Sequence, residues 1–595
     1  MHLESGNPRA GQSPEPGQSP VDITRLPSYA VLWHNGGIVA PGQRACAGRG
    51  GFADMQMQQS TQNPIPEIQD RTVAFQAEKA NRTLFSALLD AVRRHGRKTQ
   101  VLDDPDKNPL NYDRLLLGAT VLGRAIAKIS MPGEKIGVLL PNGNGVAVTF
   151  FALHAYGRVP AMLNFTSGAH GLLGACKAAQ ITTILTARRF IKLAELEPLA
   201  EALSKKVKLV YLEDLRKTIS LGAKLSGALL SHLPRRLPGA RKVSPDDPGV
   251  VLFTSGTEGS PKGVVLSHRN VLANCCQCMA TGAFEDDDRF FTALPVFHSF
   301  GLTPGMILPL ISGRPVFLYP SPLHYKMIPP LIKRARASVM FGTDTFAAGW
   351  GRAASKEDFA SLRLVVLGAE RVRQKTRELW REKFGMEIYE GYGATETAPV
   401  VAVNTPNRAR NGTVGPLLPQ IEYEIEPVPG LDAGGRLKVR GPNVMSGYLT
   451  VEKPGVVQPP EGGWHDTGDI VEIDDDGFIA IKGRAKRFAK IGGEMISLAA
   501  VEAYVASVWP DNAHAVVAVE DARKGEKLVL ITDHEAASRA PICAWAKEHH
   551  VPELQLPKHI VFVEALPVLG TGKLDYVAIN TLARQNVGPL RAAAE

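Results

Sequence analysis

No uninterrupted apolar run in this chain reaches the roughly 18–20 residues that a membrane-crossing helix needs. The best stretch, Val146–Ala155, is short and runs into Tyr156-Gly157-Arg158. The N-terminus, Met-His-Leu-Glu, lacks the basic-then-apolar order of a secretory signal. Six cysteines in 595 residues argue for a reducing compartment rather than a disulfide framework. Cys275, Cys276 and Cys278 cluster, but no second ligand pair stands at zinc spacing, so they read as small core residues. There is no internal repeat and no Gly-x4-Gly-Lys-Ser/Thr phosphate loop. Together these absences place the protein in the cytoplasm by default.

Hydrophobic residues make up 44% of the chain and charged residues 21%, ordinary values for a globular protein. The length predicts roughly three or four domains or subdomains. The first 52 residues hold nine glycines and six prolines. Such a composition buries too little apolar surface to offset its ordering entropy, so residues 1–80 read as a disordered extension. Order is expected near Asn81, where Asn81 or Thr83 can cap a helix that Gly96 ends. From there apolar β-like runs alternate with helical stretches: Lys135–Leu140 then Gly145–Tyr156, Thr182–Thr186 then Ile191–Leu203, Leu362–Leu367 then Val372–Phe384. This is the α/β signature of mostly parallel sheets covered on both faces. Residues 421–482 switch to period-two alternation around Gly434-Gly435, predicting a small antiparallel β subdomain. Residues 491–590 read as a compact α+β domain, with strands His514–Val519, Leu528–Ile531 and His559–Val563 and a helix from Pro541. It is reached through the polar segment 483–490. The fold class is therefore α/β: a large N-terminal domain, 81–482, followed by a small C-terminal one.

The stretch Leu252-Phe-Thr-Ser-Gly-Thr-Glu-Gly-Ser-Pro-Lys-Gly263 reads as a polyphosphate cradle. Thr254, Ser255, Thr257 and Ser260 supply hydroxyl donors. Gly256, Gly259 and Gly263 are expected to turn the backbone sharply and bring its N–H groups close to an anion. Lys262 adds a mobile cation. A buried strand is predicted before the cradle and the helix Ser267–Ala280 after it.

Four further motifs follow in order. Tyr389-Glu-Gly-Tyr-Gly-Ala-Thr-Glu-Thr397 offers Tyr392 to stack on a purine, Thr395 to bond an α-phosphate and Glu396 to hold Mg2+, which prefers oxygen ligands. Trp464-His-Asp-Thr-Gly-Asp-Ile470 places Asp469 after a turn glycine, where a carboxylate could accept both ribose hydroxyls; an Asx-turn between strands is the plainer alternative. Gly483-Arg-Ala-Lys-Arg-Phe-Ala-Lys-Ile-Gly-Gly-Glu494 is basic and hinge-like. Leu569-Gly-Thr-Gly-Lys-Leu-Asp575 presents Lys573 on a glycine-flanked loop.

These five motifs, in this order over residues 80–590, resemble the adenylate-forming superfamily of acyl-CoA synthetases, peptide-synthetase adenylation domains and firefly luciferase. The resemblance implies a two-step ligase that uses ATP and Mg2+. A carboxylate attacks the α-phosphate to give acyl-adenylate, and a thiol then displaces AMP. It places Thr254–Gly263 on the β- and γ-phosphates and Tyr392 near the adenine. Thr395 would touch the α-phosphate, Glu396 Mg2+, and Asp469 with Arg484 the ribose. His298 of Pro295-Val-Phe-His-Ser-Phe300 would stand between nucleotide and acyl pocket, and Lys573 would meet the carboxylate and the charge at phosphorus. Lys486 matches the hinge about which the C-terminal domain of this family rotates, and Lys490 would then face the thiol channel. Glu370, in Leu367-Gly-Ala-Glu-Arg371, falls near the adenine and acyl pocket in this family, or else on the surface.

The wording of Gly391–Pro399, Leu566–Tyr576 and Tyr211–Arg216 looks most like the synthetase half of the bifunctional bacterial 2-acylglycerophosphoethanolamine acyltransferase/acyl-[acyl-carrier-protein] synthetases. That implies a long-chain fatty acid, the phosphopantetheine thiol of acyl-carrier protein and a role in phospholipid metabolism. Coenzyme A as acceptor remains open, because it carries the same arm. No histidine has an aspartate five positions on, as the acyltransferase half would require, so the ligase alone is expected. A catalytically silent protein that binds nucleotide or fatty acid is the alternative of another class. Finally, ten basic residues against Glu213 and Asp214 give segment 204–242 a charge of +8, with Leu215, Ile219, Leu225, Leu229 and Leu233 at near-helical spacing. Such a segment can lie on an anionic membrane, here the inner membrane, or pack its leucines onto the main body. Without interleaved aromatics it does not read as a nucleic-acid surface.

Overall fold

The computed structural model describes residues 73–255, 261–428, 433–491, 494–521, 525–568 and 574–587. Two large mixed sheets carry most of the chain up to residue 449. The first has eight strands. Ile388–Gly393, Leu364–Gly368, Val339–Gly342, Phe290–Thr292, Val316–Leu318 and Gln100–Asp103 run parallel. Antiparallel edge strands, Val400–Val403 and Leu110–Asn111, close its two ends. The second sheet has seven strands, with Pro248–Ser255, Val159–Met162, Lys135–Leu139, Thr183–Thr186 and Lys208–Tyr211 in parallel. The Val, Ile and Leu runs of the central strands are buried on both faces, as parallel strands covered by helices must be, while the edge strand Lys208–Tyr211 is only half-buried. One continuous apolar core extends from Ala80 to Ile479.

The α/β reading holds, and so does the antiparallel unit. Glu422–Glu426, Gly435–Arg440, His465–Ile473 and Ile479–Arg484 form a four-stranded antiparallel sheet. The chain leaves this sheet at Arg484, makes a 3-10 turn over Ala485–Arg487 and enters the terminal sheet at Phe488. Alternation along the terminal strands His514–Asp521 and Gly525–Thr532 sends residues to two separate cores. Val516, Leu528 and Leu530 meet Val501, Tyr504 and Ile542. Ala515, Val517, Val529 and Ile531 meet Ile579 and Ala583.

Three sequence expectations change. Order begins before Asn81, since Ala77–Ala80 is a 3-10 helix with Ala80 in the core and the Val73 N–H donates to the Ala280 carbonyl at 2.9 Å. The rest of the expected disordered extension, residues 1–72, lies outside the described residues. The single helix over Ile191–Leu203 is two short ones, Arg188–Leu193 and Glu197–Ser204, with Glu195 between them at φ +52°. Pro198 explains the break, since proline fits the first turn of a helix but not its interior. The helix expected after the cradle is present, but an unforeseen strand precedes it. Pro261–Ser267 pairs antiparallel with Pro248–Ser255, because Val264-Val265-Leu266 is itself an apolar strand. Gly263 therefore lies within that strand and makes no turn. A Cβ there would stand 3.2–3.3 Å from Phe253, Val251 and Leu449, so the glycine serves close packing.

Ser267 then caps the helix His268–Ala280. Its hydroxyl accepts the Asn270 N–H at 3.1 Å, and Asn270 Oδ1 accepts the Ser267 N–H at 2.8 Å. His268 Nδ1 accepts the N–H of Leu84, an orphan donor at the start of the helix Leu84–His95, at 3.2 Å. The His154 ring stands edge-on to it at 5.1 Å. Burial pushes His268 down to about 4 and His154 well below the usual imidazole range. Below pH ~6.5 the unfolded chain takes up these protons and the native chain does not, so stability is lost as pH falls from ~6.5 toward 4. Each unit of difference corresponds to about 1.4 kcal/mol. His268→Asn, which keeps an acceptor for Leu84, should remove about one proton from the slope of stability against pH, measured by urea denaturation between pH 4.5 and 7.

Candidate functional site

Thr254 and Lys262 lie on the two strands of a hairpin whose last register pairs are Thr254 with Lys262 and Ser255 with Pro261. Gly256, Thr257, Gly259, Ser260 and Lys573 lie outside the described residues, as do the side chains of Ser255 and Lys486. The hairpin's outer neighbour is the strand Gly447–Leu449, with Tyr448 opposite Val264 and Leu449 opposite Gly263. The Lys262 ammonium stands 5.5 Å from the centroid of the Tyr448 ring. The Tyr448 hydroxyl donates to Glu396 Oε1 at 2.7 Å. Burial first, and then the Glu396 charge, hold that phenol protonated. A cation, a phenol and a carboxylate from three separate sequence regions are thus linked.

A second cluster lies on the same motif. Tyr392, near the end of the strand Ile388–Gly393, donates its hydroxyl to Asp469 Oδ2 at 2.5 Å, and both residues are buried. Asp469 is paired in register with Arg484 on the next strand, and Arg484 Nε lies 3.1 Å from Asp469 Oδ1. Burial raises the Asp469 carboxyl, and Arg484 and Tyr392 oppose that rise. His465, four residues earlier on the same strand, is buried facing the charges of Glu396, Asp466 and Asp469. Its burial outweighs their pull and lowers it.

Between the clusters Thr395–Thr397 forms a 3-10 turn. Thr397 Oγ1, buried, donates within the turn's own backbone, and Thr395 Oγ1 is 3.5 Å from Ser299 Oγ. Gly393 is required here, since a Cβ would meet the Pro399 carbonyl oxygen at 1.9 Å. Ser299 opens the short helix Ser299–Leu302 directly after His298, which is half-buried against the Phe297 ring at 4.7 Å.

The structure therefore brings Lys262, Tyr392, Thr395, Glu396, Asp469 and Arg484 into two linked clusters, with His298 one residue from Ser299. Glu370 accepts from the Thr345 N–H at 3.0 Å and from its hydroxyl at 2.9 Å, tying the end of the strand Leu364–Gly368 to the helix Asp344–Ala353. Lys490 is not drawn in. It lies exposed on the terminal sheet, its N–H donating to Glu526 Oε2 at 2.5 Å. Tyr448 and Ser299 escaped the sequence reading, because each acts through a partner 52 or 96 positions away. For a metal, the donor that the described residues offer beside the hairpin is one half-buried carboxylate, Glu396, held by Tyr448. That suits Mg2+, which usually takes one or two carboxylates beside substrate phosphates rather than a full protein cage.

A family model described as AMP-binding enzyme matches residues 88–449, more than half the chain. The protein belongs to the AMP-binding enzyme family, the adenylate-forming superfamily. Probable 4-coumarate–CoA ligase 2 of Dictyostelium discoideum is 31% identical over 365 residues, 58% of this chain and 65% of that protein. The medium-chain fatty-acid–CoA ligase of Escherichia coli (strain K12) is 31% identical over 350 residues, 56% of this chain and 60% of that protein. The chain thus spans less than two thirds of the length of these curated relatives. ATP-bound MatB from Rhodopseudomonas palustris shares the fold, with a TM-score of 0.70 at 23% identity over 85% of this chain and 99% of that one. The family match ends before Asp469 and Arg484, so their joining to Tyr392 is a finding of the tertiary structure.

Asp469→Asn keeps the shape but removes the charge that Arg484 and Tyr392 face. The expected outcome is AMP binding weakened by roughly tenfold or more, about 1.5–3 kcal/mol for hydrogen bonds to a charged acceptor, measured by titration calorimetry.

Proposed function

We propose that the chain is an AMP-forming acid–thiol ligase that activates a long-chain fatty acid and passes it to a phosphopantetheine thiol. The observation that carries this reading is the assembly of the Tyr392–Asp469–Arg484 cluster beside Glu396–Tyr448–Lys262. In the first step a carboxylate oxygen of the acid bonds to the α-phosphorus of ATP and the bond to pyrophosphate breaks. In the second the thiol sulfur bonds to the acyl carbon, its proton is released and AMP leaves.

Each group has work suited to its chemistry. The hairpin hydroxyls and N–H groups with Lys262 hold the β- and γ-phosphates. Tyr392 lies by the adenine, and Asp469 accepts from the ribose hydroxyls. That role needs an ionised carboxylate, and Arg484 with Tyr392 supplies the opposing stabilisation that burial would otherwise defeat. Each carboxylate oxygen has two lone pairs, so the existing bonds leave acceptor capacity for a diol. Thr395 bonds the α-phosphate, with Ser299 holding its hydroxyl. Mg2+, when bound by Glu396 and phosphate oxygens, supplies charge neutralisation at the leaving pyrophosphate. His298 separates the nucleotide from the acid. Lys573, delivered by the terminal domain turning about Lys486, meets the negative charge that accumulates at phosphorus, and Lys490 serves the thiol half-reaction.

Two acceptors fit one arm. The names of the relatives favour coenzyme A, and the wording of Gly391–Pro399 and Leu566–Tyr576 favours acyl-carrier protein. The deciding experiment is fatty-acid-dependent ATP–pyrophosphate exchange, followed by holo carrier protein and coenzyme A offered in parallel. Exchange that no carboxylic acid stimulates, despite nucleotide binding, would replace the ligase with a silent binder. Removing one preorganised cation from a site of developing charge costs roughly 10²–10³ in rate. Lys573→Ala is therefore expected to lose about that factor in adenylate formation and to spare thioester formation from supplied acyl-adenylate, each half-reaction being timed by quenched flow.

A further inference from the structure

The cationic segment 204–242 resolves into parts with opposite fates. Leu215 is buried and Ile219 half-buried, so these two leave the apolar face that the spacing suggested. What remains is the helix Leu221–His232, whose first turn is capped by Ser220. One side of it is pressed onto the helix Tyr112–Ala127. A Cβ on Gly227 would stand 2.6 Å from Val121 Cγ2, Ser231 is buried, and the Arg97 guanidinium donates to the Ser231 carbonyl at 3.1 Å. The other side carries Leu221, Leu225 and Leu229 at four-residue spacing, followed by Leu233, with 72%, 65%, 67% and 43% of their surfaces in water. Four leucines in one exposed row on a helix whose other face is packed are not scattered surface residues.

The segment that carries this row is charged with one sign, although Asp90 and Asp113 of other helices face its Arg235 and His232. No acidic residue occurs between Leu215 and Lys242. Lys224 and Arg236 are exposed and no carboxylate pairs with either among the described residues. Arg235 shares the single carboxylate of Asp90 with Arg82 and Arg93, which leaves a net positive cluster where the row ends. Among the described residues no helix is long and apolar enough to cross a membrane. The geometry points to a different use: we propose that the helix Leu221–His232 with Leu233 docks the protein on an anionic lipid surface. The leucines enter the acyl boundary while Lys224, Arg235 and Arg236 meet lipid phosphates. A short amphipathic helix lying in the interface binds through its apolar face plus attraction to anionic headgroups, and basic residues near such a surface add to the binding. The inference does not depend on which acid or thiol the site takes.

The test is flotation of the full chain with vesicles of phosphatidylglycerol and phosphatidylcholine mixed equally, against vesicles of phosphatidylcholine alone. The expected result is binding to the anionic vesicles at low salt, weakened at high salt as surface electrostatics are screened. Leu225→Ser/Leu229→Ser should lower the partition coefficient at least ~tenfold, through the lost apolar burial. Lys224→Gln/Arg236→Gln should lower it on anionic vesicles alone. Both variants should keep the parent's thermal midpoint within a few degrees and its nucleotide binding. Equal flotation with both vesicle types, none with either, or full retention by the leucine variant would each overturn the proposal. So would a dimer in sedimentation that the leucine variant converts to monomer, since a second copy would then own the face.

Discussion

A phenol hydroxyl bonded to a buried carboxylate is the contact on which the site depends. Tyr392 stands near the end of a strand of the eight-stranded sheet, and Asp469 and Arg484 face each other on two strands of the four-stranded sheet. The bond therefore joins two sheets that have no strand in common. Burying Asp469 as a charge is costly unless donors meet it, and the two donors come from different places. The protein thus has a carboxylate that burial pushes toward protonation and that its neighbours hold toward ionisation. A ligand offering hydroxyl donors adds to the side of the charged form.

The same economy of groups is visible at Glu396. Its carboxylate is oriented by Tyr448, which rides on a strand paired to the cradle hairpin, and the ring of Tyr448 stands below Lys262. The hairpin and the carboxylate are thereby linked through one aromatic ring. The Thr395–Thr397 turn links this cluster to the first, because Tyr392 enters it and Glu396 lies within it. Gly393 permits the turn by letting the Pro399 carbonyl approach where any side chain would block it.

Much of this was legible in the linear chain. Alternating apolar runs and helical stretches announce an α/β sheet protein, and period-two alternation after residue 421 announces the antiparallel unit, because burial on one or two faces imposes those periods directly. Tyr392, Thr395, Glu396 and Asp469 stood out because they sit beside glycines in short polar turns, whereas Arg484 was pointed to only by the family resemblance. Boundaries were less legible. The strand Pro261–Ser267 lay hidden inside the cradle motif, and the break at Glu195 followed from a single proline. Whether Leu215 or Leu221 faces water was not readable, since a leucine row looks the same whether or not another helix covers it.

Composition and local pattern decided which segments become strands and helices and which residues are free to do chemistry, since those choices rest on interactions between near neighbours. Tertiary structure alone decided that Tyr448 reaches Glu396, that Tyr392 reaches Asp469, and that one side of the helix Leu221–His232 is covered while its leucine side stays open. Those outcomes depend on how sheets far apart along the chain meet. A hydrogen bond across 77 residues leaves no periodic trace in the sequence.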